Sequence, residues 1–233
     1  MARPAKESDE AVLTRAMTVF RALGYEGASL SKLSEATELK RASLYHRFPG
    51  GKEDLATSTL AALGRWLDAQ VLSPLKRPGD PKKRLEAAAS AFDALFDGGK
   101  DASLINVFGT PEASPQSLVD GAQSLALAMI TGIAAVLEET GLDPDEARTR
   151  AVRGVALLEG SMVLARAFRD PAPFRAALAT WPDELLGPSQ TEKTAPAAEQ
   201  PEKTESNEEP PKQTSEVRRA VARHLALLNG RSL

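Results

Sequence analysis

The chain contains no cysteine and only two histidines among 233 residues. The first absence excludes disulfides, thiolate metal sites and thiol nucleophiles, and suits a reducing compartment such as the cytoplasm. The second leaves His46 and His224 far apart, too few for a zinc site. A Ser-His-Asp arrangement would have to be built on one of them, and no nucleophile-elbow pattern surrounds any serine. Long apolar runs are also lacking: none approaches the roughly 20 residues of a membrane span, so no membrane partner is expected. The start "MARPAKESDE" turns acidic where a signal peptide would turn apolar. The carboxylate pairs Glu138–Glu139 and Asp143–Asp145 fall at helix ends, where solvated and capping roles dominate. Neither catalysis nor a metal nor a cofactor is expected.

Excess positive charge is missing too. The net charge is −3, which argues against bulk packaging of nucleic acid. The average hides a local contrast, however. Residues 1–55 carry 9 Lys/Arg against 8 Asp/Glu, whereas residues 56–187 carry 13 against 17. Between Glu38 and Glu53 every charged side chain is basic: Lys40, Arg41, Arg47 and Lys52. A polyanion would be met there.

What is present is helical periodicity, with no convincing alternation at period two. Val12, Ala16, Val19, Phe20 and Leu23 share one face of a first helix, capped by Ser8 and stopped by Gly24. A short second helix opens at Ser29, with Leu30, Leu33 and Ala36 inward, and a third runs from Lys40 to Phe48. After "PGG" a longer helix runs from Lys52 to about Leu72, followed by the connector "SPLKRPGDPKK" at 73–83. Further helices are predicted over 81–96, 116–140 and 144–168 and from Pro171 or Pro173 to Leu186, with a short one in the loop-rich stretch between 97 and 116. The expected fold class is all-α, about nine helices, with a three-helix head at 1–51 and a helical body at 52–187. Residues 188–215 are rich in Pro, Glu, Thr and Ser and read as a disordered linker. Residues 216–233 read as a short amphipathic helix bearing Val217, Val221, Leu225 and Leu228.

Two short helices joined by three or four residues and braced by a longer one form a helix-turn-helix, whose second short helix enters the DNA major groove. The residue types suit that task. Lys40 and Arg41 can meet phosphate or a guanine edge, Ala42 can touch a thymine methyl, and Ser43 can bond to base or phosphate. Tyr45, His46 and Lys52 stand where backbone phosphates would pass, and Ser29 caps a second amide cluster.

The stretch "SLSKLSEATELKRASLYHRFPGGKEDL" resembles the N-terminal signature of TetR-type regulators, with Ser29, Leu33, Ser34, Leu39, Leu44, Tyr45, Phe48 and Lys52 in register. "LYHRFPGGKEDL" is most similar to the LmrA/YxaF-like branch, as is "EGSMVLARAFRDPAPF" at 159–174. The resemblance implies a homodimeric repressor, released from a palindromic operator by an apolar small-molecule inducer. For the pocket it points to Trp66, Phe92, Phe96, Phe108 and Met129, each of which is equally a core residue. For the dimer it points to the last two body helices, with Gly154, Leu158, Met162, Ala165, Phe174, Leu178 and Trp181 as interface residues; an intramolecular core explains the same faces. Two positions depart from the pattern. Glu38 stands where the turn usually has glycine, and Lys40 where a capping serine is common, each at about 1 kcal/mol. On these departures rests the alternative: a helical ligand-binding or scaffold protein with a degenerate DNA-binding head.

Overall fold

A computed structural model describes residues 8–187, so the readings of 188–215 as linker and 216–233 as helix lie outside the described residues. Among the described residues there are nine α-helices and no strand. Three make the head: α1 (Asp9–Gly27), α2 (Leu30–Ala36) and α3 (Arg41–Arg47). Caps written into the sequence set these boundaries. The Ser8 side chain accepts from Ala11 N at 3.2 Å, and that of Ser29 accepts from Lys32 N at 3.4 Å. Gly24, at φ 70°, breaks α1 after Leu23, and one further turn follows. Val12, Ala16, Phe20, Leu33, Leu44 and Phe48 close over a small core.

The body begins with α4 (Gly51–Leu67), which continues through a π turn (Asp68–Leu72) into a last α turn, Ser73–Leu75. The expected connector is thus shorter than its composition suggested. Proline in an α-helix clashes with the carbonyl four residues back. The wider π turn, which ends just before Pro74, changes the register and lets the chain continue.

Beyond it come α5 (Pro81–Leu95), α6 (Leu104–Phe108), α7 (Gln116–Glu138), α8 (Pro144–Phe168) and α9 (Ala172–Leu186). Asp80 and Asp143 cap α5 and α8, each ahead of a proline in the first turn. α8 packs along α7 and α9, α5 lies on α9, and α4 lies on α1 and α7. By length and composition alone α7 is apolar enough to cross a membrane, although polar residues interrupt it. Here, however, Leu118, Ala122, Met129, Ile133, Val136 and Leu137 are buried in the bundle. Arg84 bonds the Leu75 and Arg77 carbonyls and Glu139, which ties the end of α4 to the end of α7.

Candidate nucleic-acid interface

The outward face of the head is assembled by α3. Its apolar side is anchored by Leu44, only 3% exposed, and that anchor turns the opposite side to solvent. Lys40, Arg41, Ala42, Ser43, Tyr45 and His46 are all exposed on it, with Ser29 at the start of α2. The Arg41 guanidinium is steadied by Ser31 Oγ, a partner that lies one helix back. Tyr45 rests against Gly51, which has φ +67°; a Cβ at Gly51 would stand 3.2 Å from the ring. A residue without a side chain therefore lets the tyrosine lie across the entry to α4.

The four cations of this stretch are not equivalent. Arg47 donates to Asp9 at 3.1 Å and is largely buried, which pins α3 to the start of α1. Lys52, expected among the phosphate contacts, turns inward. Its ammonium donates to the Tyr25 carbonyl at 3.1 Å and sits 4.0 Å from the centre of the Tyr25 ring. The Tyr25 carbonyl, which also accepts from Ala28 N at 3.2 Å, and an aromatic face together hold it. Gly50 supplies α4 with no side-chain cap; its own amide donates to Asp54 Oδ2 at 3.3 Å and that of Gly51 to the Phe48 carbonyl at 2.9 Å, which leaves the next two amides of the first turn without a helical partner.

At the turn before α3, Glu38 adopts the left-handed conformation with φ 56°. The turn is closed by Ser34 Oγ donating to the Leu39 carbonyl and Thr37 Oγ1 donating to the Leu33 carbonyl. The Glu38 carboxylate lies 3.7 Å from Arg15 of α1, whose guanidinium also donates to the Thr37 carbonyl at 3.4 Å. The extra acid is thus charge-paired on the side of the supporting helix. Lys40 does head α3 without a side-chain cap.

In the body, Phe92 and Phe96 stack at 6.5 Å, and none of the five residues considered for a pocket lines either of the two clefts described below. Phe92 meets Trp181 edge-on at 5.7 Å, and Phe96 meets Phe174 at 6.0 Å. Phe108 belongs to another cluster, 5.4 Å from Phe20 and 6.4 Å from Tyr25. Met129 is buried on α7, and Trp66 is half-buried on α4. These rings fill the gaps between helices.

The seven residues expected at a subunit interface also lie inside. Gly154, Leu158, Met162, Ala165, Phe174, Leu178 and Trp181 are all buried within the chain itself. Gly154 is small because α9 crosses there: a Cβ would come 2.6 Å from Leu185, and Trp181 Nε1 donates to the Gly154 carbonyl at 3.0 Å. The opposite side of α8 is the uncovered one. Val152, Ala156, Gly160, Val163 and Leu164 are exposed along it, ending at Phe168, which is 66% exposed. Of these, Ala156, Gly160, Val163 and Leu164 line an apolar cleft of about 750 Å³ with Pro173, Ala176 and Thr180 of α9. A second cleft of about 700 Å³ shares Leu157, Thr180 and Glu184 and extends to Arg150 and Arg153.

Two ionisable residues that the sequence did not single out are withdrawn from solvent, Arg21 fully and Glu159 in part. Burial raises the carboxyl pKa of Glu159 on α8, partly offset by a hydrogen bond with Ser103. Burial lowers the pKa of Arg21 on α1, against the pull of Asp101. No periodicity marks either, because both are enclosed by elements distant in sequence.

The head and body match different parts of one family. Residues 12–59 match the profile of bacterial regulatory proteins of the tetR family. Residues 108–180 match that of the LmrA/YxaF-like transcriptional regulator C-terminal domain, and the two together span more than half of the chain. The HTH-type transcriptional regulator LmrA of Bacillus subtilis is 24% identical over 183 residues, 77% of this chain and 97% of LmrA. YezE of the same organism is 40% identical over 81 residues, 34% of this chain and 41% of YezE. A TetR transcriptional regulator from Legionella pneumophila has the same fold, at a TM-score of 0.69 and 23% identity over 77% of this chain and 97% of that one. CifR, solved with 26-bp operator DNA, superposes at a TM-score of 0.62 with 25% identity over 78% of this chain and 98% of its own. The chain belongs to the TetR family, in the branch of LmrA and YxaF, and is a DNA-binding transcriptional regulator.

Proposed function

We propose that the protein is a homodimeric, ligand-responsive repressor that reads a palindromic operator with α3. The observation that carries this reading is the outward face of that helix. Six side chains that can meet bases or phosphates stand together in solvent, and none is needed by the core. Arg41 reads a guanine edge, Ala42 and Ser43 allow close approach, and Lys40, Tyr45, His46 and Ser29 meet the backbone. The α4 amides supply the phosphate site once assigned to Lys52, whose ammonium braces α1. Two copies joined through the apolar side of α8 and α9 place two such helices on one face of the duplex, about 34–36 Å apart. An apolar inducer acts by altering that separation, as expected for a family member of this build.

The reading of a degenerate head rested on Glu38 and Lys40. Glu38 is accommodated by the turn and charge-paired to Arg15, so that reading loses its main support. Selection of random duplexes by the purified protein tests the proposal. A palindromic consensus is the expected result; sequence-blind binding governed only by salt would overturn it.

A further inference from the structure

Arg21 lies at the seam between head and body. It projects from α1, yet its side chain is only 9% exposed. Nη1 donates to Asp101 Oδ2 at 2.7 Å and to the Leu95 carbonyl at 3.3 Å, and the guanidinium carbon stands 5.6 Å from the centre of the Phe96 ring. Both acceptors belong to the body: Leu95 ends α5, and Asp101 lies in the loop before α6. The other two nitrogens, Nε and Nη2, are buried without a partner.

A buried guanidinium held through one of its three nitrogens is a poor source of stability. An apolar side chain would fill the same space without leaving donors unpaired. What the guanidinium adds is direction. A carboxylate and a carbonyl at a helix C-terminus both attract a cation, and their hydrogen bonds fix its angle in a way that apolar contacts do not. The residues around it carry that direction onward. Phe20, the preceding residue, meets Phe108 of α6 edge-on. Tyr25, one turn later, holds Lys52 of α4 through its carbonyl and ring. Asp9, at the other end of α1, holds Arg47 of α3. Any rotation of α1 about the Arg21 contact therefore carries the recognition helix with it.

We propose that Arg21 is a positioning residue for operator recognition: through Asp101 and the Leu95 carbonyl it sets the angle of the head on the body, and so the separation of the two α3 helices in the dimer. This rests on the dimeric DNA-reading function proposed above. It gives α1 a tie to the body that is independent of α4.

The absence of cysteine makes the test clean, since one introduced cysteine gives one label per protomer. Thr18→Cys, on the exposed side of α1, is spin-labelled in the full chain, and the distance between the two labels is measured by pulsed electron resonance. The comparison is between that background and the same chain with Arg21→Met and Asp101→Leu, which fills the seam with apolar groups. The expected result is a folded dimer with a broadened or shifted distance distribution. Its affinity for the selected operator falls about tenfold, while the salt dependence is unchanged, because pre-organisation is lost but phosphate contacts are not. An unchanged distribution with affinity within twofold would overturn the proposal. Asp101→Asn, which keeps an acceptor but removes the charge, is read the same way if the double variant does not fold. Should the parent chain select no operator, the function reading falls, while the distance measurement still decides the role of Arg21. A parent chain that is monomeric sinks both.

Discussion

The head and the α8–α9 pair each offer a surface to a partner, and the two surfaces are opposite in kind. The head's is polar and cationic and is carried on a seven-residue helix held by Leu44 and by the Arg47–Asp9 ion pair. The body's is apolar and runs along a 25-residue helix from Val152 to Phe168. Polar groups can wait in water at little cost, whereas an apolar strip of that length is unfavourable until it is covered. Dimerisation through the body should therefore be largely indifferent to salt, and DNA binding through the head strongly sensitive to it. On the dimeric reading proposed above, the subunits join first, and the joined pair meets DNA.

The most severe way to break this comparison is a charge on the apolar strip. Leu164→Asp should raise the dimer dissociation constant by at least about 100-fold, because an unpaired carboxylate would have to be buried. Helicity should be retained, and sedimentation should show a folded monomer with weak operator binding. Leu158→Asp, on the inner side of the same helix, should instead unfold the protein, since Leu158 is only 1% exposed. Dissociation by the second and unfolding by the first would reverse the assignment of the two sides.

Next in size are changes on the head. Arg41→Ala should cost about 1–3 kcal/mol of discrimination at one operator position, seen as a relaxed consensus in a repeated selection. Lys40 and Lys52 provide the finer contrast. Lys40→Met should lower the slope of log affinity against log salt by about one, with little effect on melting. Lys52→Met should leave that slope alone and destabilise the fold by about 1–2 kcal/mol, because its ammonium serves Tyr25. Equal effects of both changes on the salt slope would return Lys52 to the DNA surface.

The same contrast explains what could be read from the sequence. The helices were legible because their ends are marked by local chemistry: Ser8, Ser29 and Asp143 as caps, Gly24 as a stop, Pro81 and Pro144 as first-turn residues. The exposed side of α3 was legible because a polar side chain with no structural task stays outside. The two sides of α8 were not, because small and apolar residues recur on both of them between Ala151 and Phe168. Only α7 and α9 decide that Leu158 faces in and Leu164 out. The inward turn of Lys52 was not legible for the same reason, since Tyr25 stands 27 positions earlier and reaches it only through the packing of α1 on α4. Nothing local pairs Arg21 with Asp101, 80 positions on.

Enclosure also predicts a pH effect confined to the body. Burial raises the carboxyl pKa of Glu159 above its unfolded value, near 4.3. Between those two values the folded state holds a proton that the unfolded state has released, so stability falls as pH rises through that window and levels off above it. Glu159→Gln should therefore raise the melting temperature at pH 7.5 and have little effect at pH 4. A gain equal at both values would mean that ionisation is not the cause.

The smallest effect is expected at Glu38, where two consequences of one residue can be separated. Its left-handed backbone costs roughly 1 kcal/mol that glycine would not incur, and its pairing with Arg15 returns about 0–1 kcal/mol because both groups are exposed. Glu38→Gly should thus stabilise the head slightly, by about 0.5 kcal/mol. Glu38→Gln keeps the strain and removes only the charge. If the carboxylate repels the DNA backbone, both variants should bind the operator a few-fold more tightly; if the strain limits how α3 is presented, only the glycine variant should. A glycine variant less stable than the parent would show that the tie to Arg15 outweighs the strain, and that the acid is part of how this turn is built.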